Sequence, residues 1–408
     1  MSFERLYLIT LCLLTGVWIL FPHFTSLLVC IFALTVLYGI IKKELAFTFQ
    51  LLPALLALLY IFYLVYTIPT NHLPIALDFL EYKLSLFVFP FLFSFQPKFN
   101  MQWKYVIYSF LLSLTILVLF DIIQASFNYS RTGVLNSFYS SALSPSHHPT
   151  YLTAFISLAI LLFLQLSRDT AFKKFKWCIY GIIGLFVLIH IPLSSLSGLL
   201  FLLIFFGFSL LIYLVKKGRV RLIIFIFLAG VIMGSTILSV QPSLKDNIKN
   251  AFSLVASYAN SPQEFIKTRP FPMEGNEARL VVWTVAFEIF LDHPMGVGLG
   301  NLEEIMHQRL VHLGLQQQAD LNYNPHNQFL QIAAELGVIG ISLFLFILIL
   351  GFYWSIKTNN WLLLLVISNL FINCLFESML QRQSGIVFYT MWISILSTGF
   401  FIPKNEIT

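Results

Sequence analysis

Apolar residues fall along this chain in long runs, separated by short polar stretches that carry most of its charges. The runs lie near 6–21, 24–41, 47–66, 79–95, 105–123, 150–166, 177–193, 199–215, 222–240, 328–354, 361–376 and 386–402. Most have the length a helix needs to cross a bilayer, and lipid admits only helices or closed barrels as spanning backbones. The pattern predicts an all-α polytopic membrane protein with about twelve transmembrane helices. The first run resembles a signal peptide in position only. It lacks a small-residue cleavage site and leads through Pro22-His23 into a second run, so it reads as a retained helix.

One long hydrophilic stretch, 241–325, interrupts the pattern between the ninth and tenth runs. Within it, 277–292 places apolar residues at 281, 282, 285, 286, 289 and 290, with Glu277 and Glu288 off that stripe. That spacing predicts an amphipathic helix lying on the membrane face or the bundle mouth. Gly296, Gly298 and Gly300 mark a turn, after which Asn301 is expected to cap a short helix reaching Leu313. With no strand ahead of them, these glycines do not read as a nucleotide loop. The polar groups His326, Asn327, Gln331 and Glu335 then share one face of a helix running into the tenth apolar run. Ionisable groups at a membrane boundary are costly and point to function. The chain reads as a single membrane domain, 1–408, carrying 241–325 as an inserted loop.

Composition and charge sharpen this picture. The chain is 58% hydrophobic and 10% charged, with 43 Phe, and its mean hydropathy is +0.85. With the N-terminus inside, alternate connections gather fifteen Lys and Arg against four acids. The positive-inside rule therefore predicts cytoplasmic termini and an outward-facing 241–325 loop. The excess of basic residues is then a topology signal, and no nucleic-acid partner is implied. Cys12, Cys30, Cys178 and Cys374 all sit in apolar runs without metal-ligand spacing, so neither disulfide nor metal is expected.

The same topology brings candidate chemistry to the outer face. Lys83 follows Glu81 at the start of the fourth run, His147 and His148 precede the sixth, and Glu377 and Arg382 precede the twelfth. Arg279, Arg309 and His326 belong to the loop or its end. Arginine pairs bidentately with phosphate oxygens and lysine adds a point charge, so the set suits a diphosphate-bearing lipid. A histidine can take the proton of an attacking sugar hydroxyl, and Glu335 or Glu377 can orient it. Plainer roles stand beside these: surface arginines as headgroup anchors, His148 as a loop cap, Glu377 paired with Arg382, and His190 as a satisfied polar residue between helices.

His326-Asn327, followed after nine residues by Gly337-Val338-Ile339-Gly340, resembles the signature of the O-antigen ligase family, whose wider group includes O-antigen polymerases and protein O-oligosaccharyltransferases. Arg279-x-x-x-Trp283 and Pro294-Met295-Gly296-Val297-Gly298-x-Gly300 resemble another segment of that group. His148-Pro149-Thr150-Tyr151-Leu152 and the 377–385 segment are similar to a Bacteroidetes-type branch.

The resemblance implies a metal-independent, cofactor-free glycosyltransferase of C-type membrane fold in the bacterial inner membrane. Such enzymes transfer a glycan from an undecaprenyl-diphosphate carrier on the periplasmic side. The acceptor is the lipid A core in ligases and another carrier-linked glycan in polymerases. By position, His326 becomes the expected base, with Arg279 and Lys83 as expected diphosphate contacts and Glu377 as a late acidic position. Arg309, Arg382, Glu335, Asn327 and His148 are further expected substrate contacts. One departure stands out: Leu196 occupies a place, in Ser194-Ser195-Leu196-Ser197, where members usually carry a cation. A lipid-linked glycan flippase or transporter is the competing class. Its expected marks are interrupted spans and midplane charges, whereas these runs are nearly free of charge.

Overall fold

The computed structural model describes residues 2–219, 221–222, 253, 256–262, 264–265, 276–321 and 323–398. Helices dominate them. From the N-terminus come α1 (Phe3–Leu20), α2 (Thr25–Ile41), α3 (Leu51–Val65), α4 (Leu73–Lys83), α5 (Ser85–Phe93), α6 (Trp103–Thr132), α7 (Ser140–Leu143), α8 (Pro149–Leu166), α9 (Lys176–Leu193) and α10 (Leu196–Lys216). After the long connection follow α11 (Asn276–Asp292), α12 (Leu302–His312), α13 (Gln316–Asp320), α14 (Gln328–Lys357), α15 (Trp361–Cys374) and α16 (Gln383–Ser397).

Eleven of the predicted runs coincide with helices, α4 and α5 together making the fourth. The ninth, 222–240, lies almost wholly outside the described residues. Among the described residues, seven helices are long and apolar enough to cross a bilayer, while α3 and α15 are apolar but shorter. The protein is an all-α polytopic membrane protein. Its many exposed Phe, Leu and Ile side chains suit contact with lipid.

Two details depart from the plain run pattern. The start of the third run is a short strand, β1 (Leu45–Phe47), paired antiparallel with β2 (Phe95–Pro97). This pairing satisfies backbone groups where α2 and α5 end. The fourth run is broken at Leu84, directly after Lys83.

The loop carries a small core of its own. Val281, Val282, Val285 and Ile289 of α11 pack with Leu302, Met306 and Leu310 of α12 and with Ala334 of α14. The predicted apolar stripe is therefore real, and α11 lies against α14 at the bundle mouth.

Candidate functional site

The tenth run does not begin as one continuous helical face. His326 has a left-handed backbone, φ 46°, and its N–H donates to Asn324 Oδ1 at 2.8 Å. Asn327 is the cap: its Oδ1 accepts from the N–H groups of Phe329 and Leu330 at 2.9 and 3.1 Å. His326 thus stands before the helix, and its side chain is not aligned with Gln331 and Glu335. The expected shared edge is corrected by this cap.

His326 turns to Glu377 instead. Its Nδ1 lies 3.1 Å from Oε1 and 3.2 Å from Oε2 of that carboxylate. The His and Glu side chains are 27% and 10% exposed, so the pair sits at the edge of solvent. Burial alone pushes the Glu377 carboxyl up. The hydrogen bond from His326, with the charges of His326, His148 and Arg279, outweighs burial and holds it below its ordinary value. A carboxylate accepts only, so Nδ1 carries a proton, and in the neutral form of the ring Nε2 keeps its lone pair. Of the two carboxylates expected to orient His326, the structure selects Glu377.

Three side chains fix the loop that carries Glu377. Asn327 Nδ2 donates to Leu375 O at 3.2 Å, and Gln328 Oε1 accepts from Leu380 N at 2.6 Å. Lys83 Nζ donates to Leu380 O at 3.1 Å and to Gln381 Oε1. Lys83 is 1% exposed, and its ammonium faces the ring of Tyr63 at 4.6 Å. It was expected to contact a diphosphate, but here its donors serve the protein interior. Asn327, also expected to bind substrate, is likewise occupied at both ends of its amide.

Glu335, a further expected contact, is fully buried and accepts from Gln331 Nε2 at 2.7 Å and Gln381 Nε2 at 2.9 Å. These amides have a fixed sense. Lys83 only donates, so Gln381 turns its oxygen to Lys83 and its NH₂ to Glu335. Glu335 holds Gln331 NH₂, which leaves Gln331 Oε1 facing away without a partner among the described residues.

A backbone joint supports this end of α14. Gly337 has φ 65° and ψ −160°, a conformation open essentially to glycine, and breaks the helix. The carbonyls of Ala334 and Glu335 accept from Val297 N and Gly298 N at 2.9 and 3.0 Å, and Val338 N donates to Pro294 O at 2.8 Å. A Cβ on Gly296 would lie 2.5 Å from Glu335 O, and one on Gly337 would lie 2.2 Å from Met295 C. The two glycine motifs are therefore halves of one contact. Asn301, expected to cap α12, ties this turn to the 70–71 loop instead, accepting from Thr70 Oγ1 at 2.8 Å and Asn71 N at 3.2 Å.

The remaining expected residues divide into two groups. The charges of Arg382, His326, Arg279 and Glu377 all act on His148, but burial is the largest influence and lowers the imidazole below its ordinary range. Its Nδ1 is buried without a partner among the described residues. The charges of Arg279 and His148 also reach Glu377, while that of Arg382, which is exposed, reaches His148. Arg309 does not join them; it pairs with Asp292 at 2.5 Å on the loop surface. His147 is structural. It bonds Ile19 O at 2.8 Å and Ser384 Oγ at 3.1 Å, joining the 148–152 and 377–385 motifs, and burial lowers its pKa to about 4. His190 Nδ1 bonds Phe186 O at 2.7 Å inside its own helix α9, and its Nε2 is buried without a partner among the described residues, so it is not the fully satisfied residue expected between helices. Leu196 is exposed beside Ser195, which caps α10 through Gly198 N at 3.2 Å. The described residues hold no group of three or more metal-ligating side chains.

The O-antigen ligase family model matches residues 181–345, the stretch that holds Arg279, the glycine turn, His326 and the break in α14. That stretch is similar to the O-antigen ligase domain. The matched region runs from α9 into α14 and contains Arg279, both halves of the glycine joint and His326. Lys83, His148, Glu377 and Arg382 lie outside it, so their part in an O-antigen ligase site rests on geometry. No curated protein matches the chain significantly. The family supports glycan transfer of the O-antigen ligase or polymerase type, with lipid-linked substrates in a membrane setting.

Proposed function

We propose that this O-antigen ligase-family protein transfers a glycan from an undecaprenyl-diphosphate carrier to an acceptor hydroxyl on the periplasmic face of the inner membrane. The observation that carries this reading is the His326–Glu377 pair, set at the solvent edge and within reach of the charge of Arg279. In the proposed reaction the acceptor oxygen attacks the anomeric carbon of the donor sugar. Its proton passes to His326 Nε2, and the bond from that carbon to the diphosphate oxygen breaks. Glu377 holds the imidazole and stabilises the imidazolium as it forms. Arg279 and Arg382 receive the charge that develops on the departing diphosphate. His148, whose burial favours the neutral imidazole, offers a hydrogen bond to a substrate oxygen or hydroxyl.

The acceptor we favour is the lipid A core, as in ligases, with a carrier-linked glycan as the polymerase alternative. A flippase gains little support from the broken helix α14. The backbone groups freed at Gly337 are taken by residues 294–298, so the break does not form an open ion site.

The test is glycan attachment in cells lacking the protein, complemented with His326→Ala or Arg279→Ala. Loss of attachment with normal protein levels is expected, and full attachment with either variant sinks the assignment. Single repeat units on lipid A in the null strain replace ligase by polymerase. Carrier-linked glycan retained on the cytoplasmic side favours the flippase.

A further inference from the structure

At the end of α14 away from His326, a cavity opens between the ribbon of β1 and β2, the start of α3 and the last turns of α14 and α16. About 390 Å³ of it is open to the centres of water-sized groups, within the range of about 300–1,000 Å³ found for ligand sites. Thr48, Gln96, Ser397 and Thr398 form its polar side, and Leu350 and Trp354 are among its apolar residues. Among the described residues, none that lines it is charged. Helix α14 is long and apolar enough to span a bilayer, so its two ends face opposite boundaries. His326 stands at one and this cavity at the other. Tyr353 and Trp354 are exposed beside it, as aromatic residues at the level of lipid head groups are.

The polar side has a defined sense. Ser397 Oγ donates to Ile393 O at 2.6 Å, and Thr398 Oγ1 donates to Ile395 O at 2.7 Å. With their hydrogens committed, both hydroxyls meet a ligand as acceptors. An ammonium group seated among uncharged residues lacks a counter-charge and is costly to bury, whereas a hydroxyl needs only a hydrogen bond. A single cation marks the rim beside Trp354. Lys357 Nζ lies 5.7 Å from the centre of the Trp354 ring and 5.4 Å from that of Tyr353. It has no carboxylate partner among the described residues, and an exposed ammonium suits a phosphate.

We propose that this cavity binds an anionic phospholipid with a polyol head group, of the phosphatidylglycerol type. The head-group hydroxyls enter and donate to Ser397 and Thr398, the phosphate rests beside Lys357, and the acyl chains leave over Leu350 and Trp354 into the bilayer. Hydroxyls and apolar side chains share this one cavity, a combination that an amphiphile meets and that a free polyol or a bare alkyl chain meets only in half. The site is separate from the His326–Glu377 pair and does not depend on the glycan-transfer reading.

The test uses the full chain in detergent micelles, titrated with phosphatidylglycerol or phosphatidylethanolamine of identical acyl chains and read by native mass spectrometry. Phosphatidylglycerol is expected to bind about fivefold more tightly, and Lys357→Gln is expected to remove that preference. Thr398→Val, which deletes one acceptor at almost constant volume, should weaken phosphatidylglycerol about threefold. Leu350→Trp, which fills the cavity, should weaken it about tenfold or more. Lys104→Gln, at an exposed cation outside the cavity, should change nothing. Equal binding of the two lipids overturns the proposal, as does unchanged phosphatidylglycerol binding in a folded Lys357→Gln or Thr398→Val protein. Equal losses in Lys104→Gln and Lys357→Gln assign the binding to general surface charge and overturn it too. Glycerophosphoglycerol, the same head group without acyl chains, should bind far more weakly than the lipid; equal affinity gives the cavity to a soluble polyol phosphate and rejects the lipid.

Discussion

Replacing Glu377 by Gln removes one charge and almost no volume, so it isolates what the carboxylate does for His326. In the resting pair, Nδ1 lies 3.1 and 3.2 Å from the two carboxylate oxygens. When the imidazole takes a proton, a unit charge appears beside Glu377. At 3.1 Å and an effective dielectric of about 20, the attraction is about 5 kcal/mol. Partial exposure of both side chains reduces this, and a charge-assisted hydrogen bond is worth about 1.5–3 kcal/mol net. Taking about 2–3 kcal/mol, kcat should fall about 30- to 150-fold. Because that charge develops only in the transition state, KM should change little. Glu377→Asp keeps the charge and should recover part of the rate. The assay is steady-state transfer from a synthetic lipid-linked donor by purified protein in nanodiscs, with thermal unfolding recorded for each variant. A folded Glu377→Gln protein within threefold of wild-type kcat would refute the reasoning.

Gly337→Ala places a Cβ 2.2 Å from Met295 C at φ 65°. Backbone strain and overpacking together should cost about 2–5 kcal/mol, read as a lower midpoint in thermal unfolding and poor recovery from membranes. Wild-type stability would show that the joint does not hold the helix break. Arg309→Ala breaks only an exposed pair with Asp292, worth at most about 1 kcal/mol, and should leave transfer within about twofold of wild type. A hundredfold loss would return Arg309 to the substrate site.

The helices were legible because long apolar runs leave a membrane chain few alternatives, and the stripe of 281, 282, 285, 286 and 289 correctly announced the buried face of α11. The partner of His326 was not legible. A helical-face reading assumes that residues 326 to 335 share one helix, but Asn327 caps the helix and leaves His326 outside it. Glu335 then turns inward to Gln331 and Gln381, and Glu377 takes the histidine from 51 positions away. Pairings at that separation depend on how helices pack, which periodicity does not encode. Lys83 was misjudged for a related reason. A cation near the outer end of a span reads as a substrate contact, yet the break at Leu84 and the 375–382 loop close over it. Its chemistry is spent on order: its ammonium donates to Gln381, whose NH₂ in turn donates to Glu335. The glycine motifs follow the same logic, since residues 294–298 meet 334–338 through backbone alone. Such a contact requires the absence of Cβ atoms at Gly296 and Gly337 rather than any reactive side chain. The glycines of these motifs therefore build the frame, and in the proposed reaction the chemistry falls to the polar residues beside them that the frame brings together, His326 and Glu377.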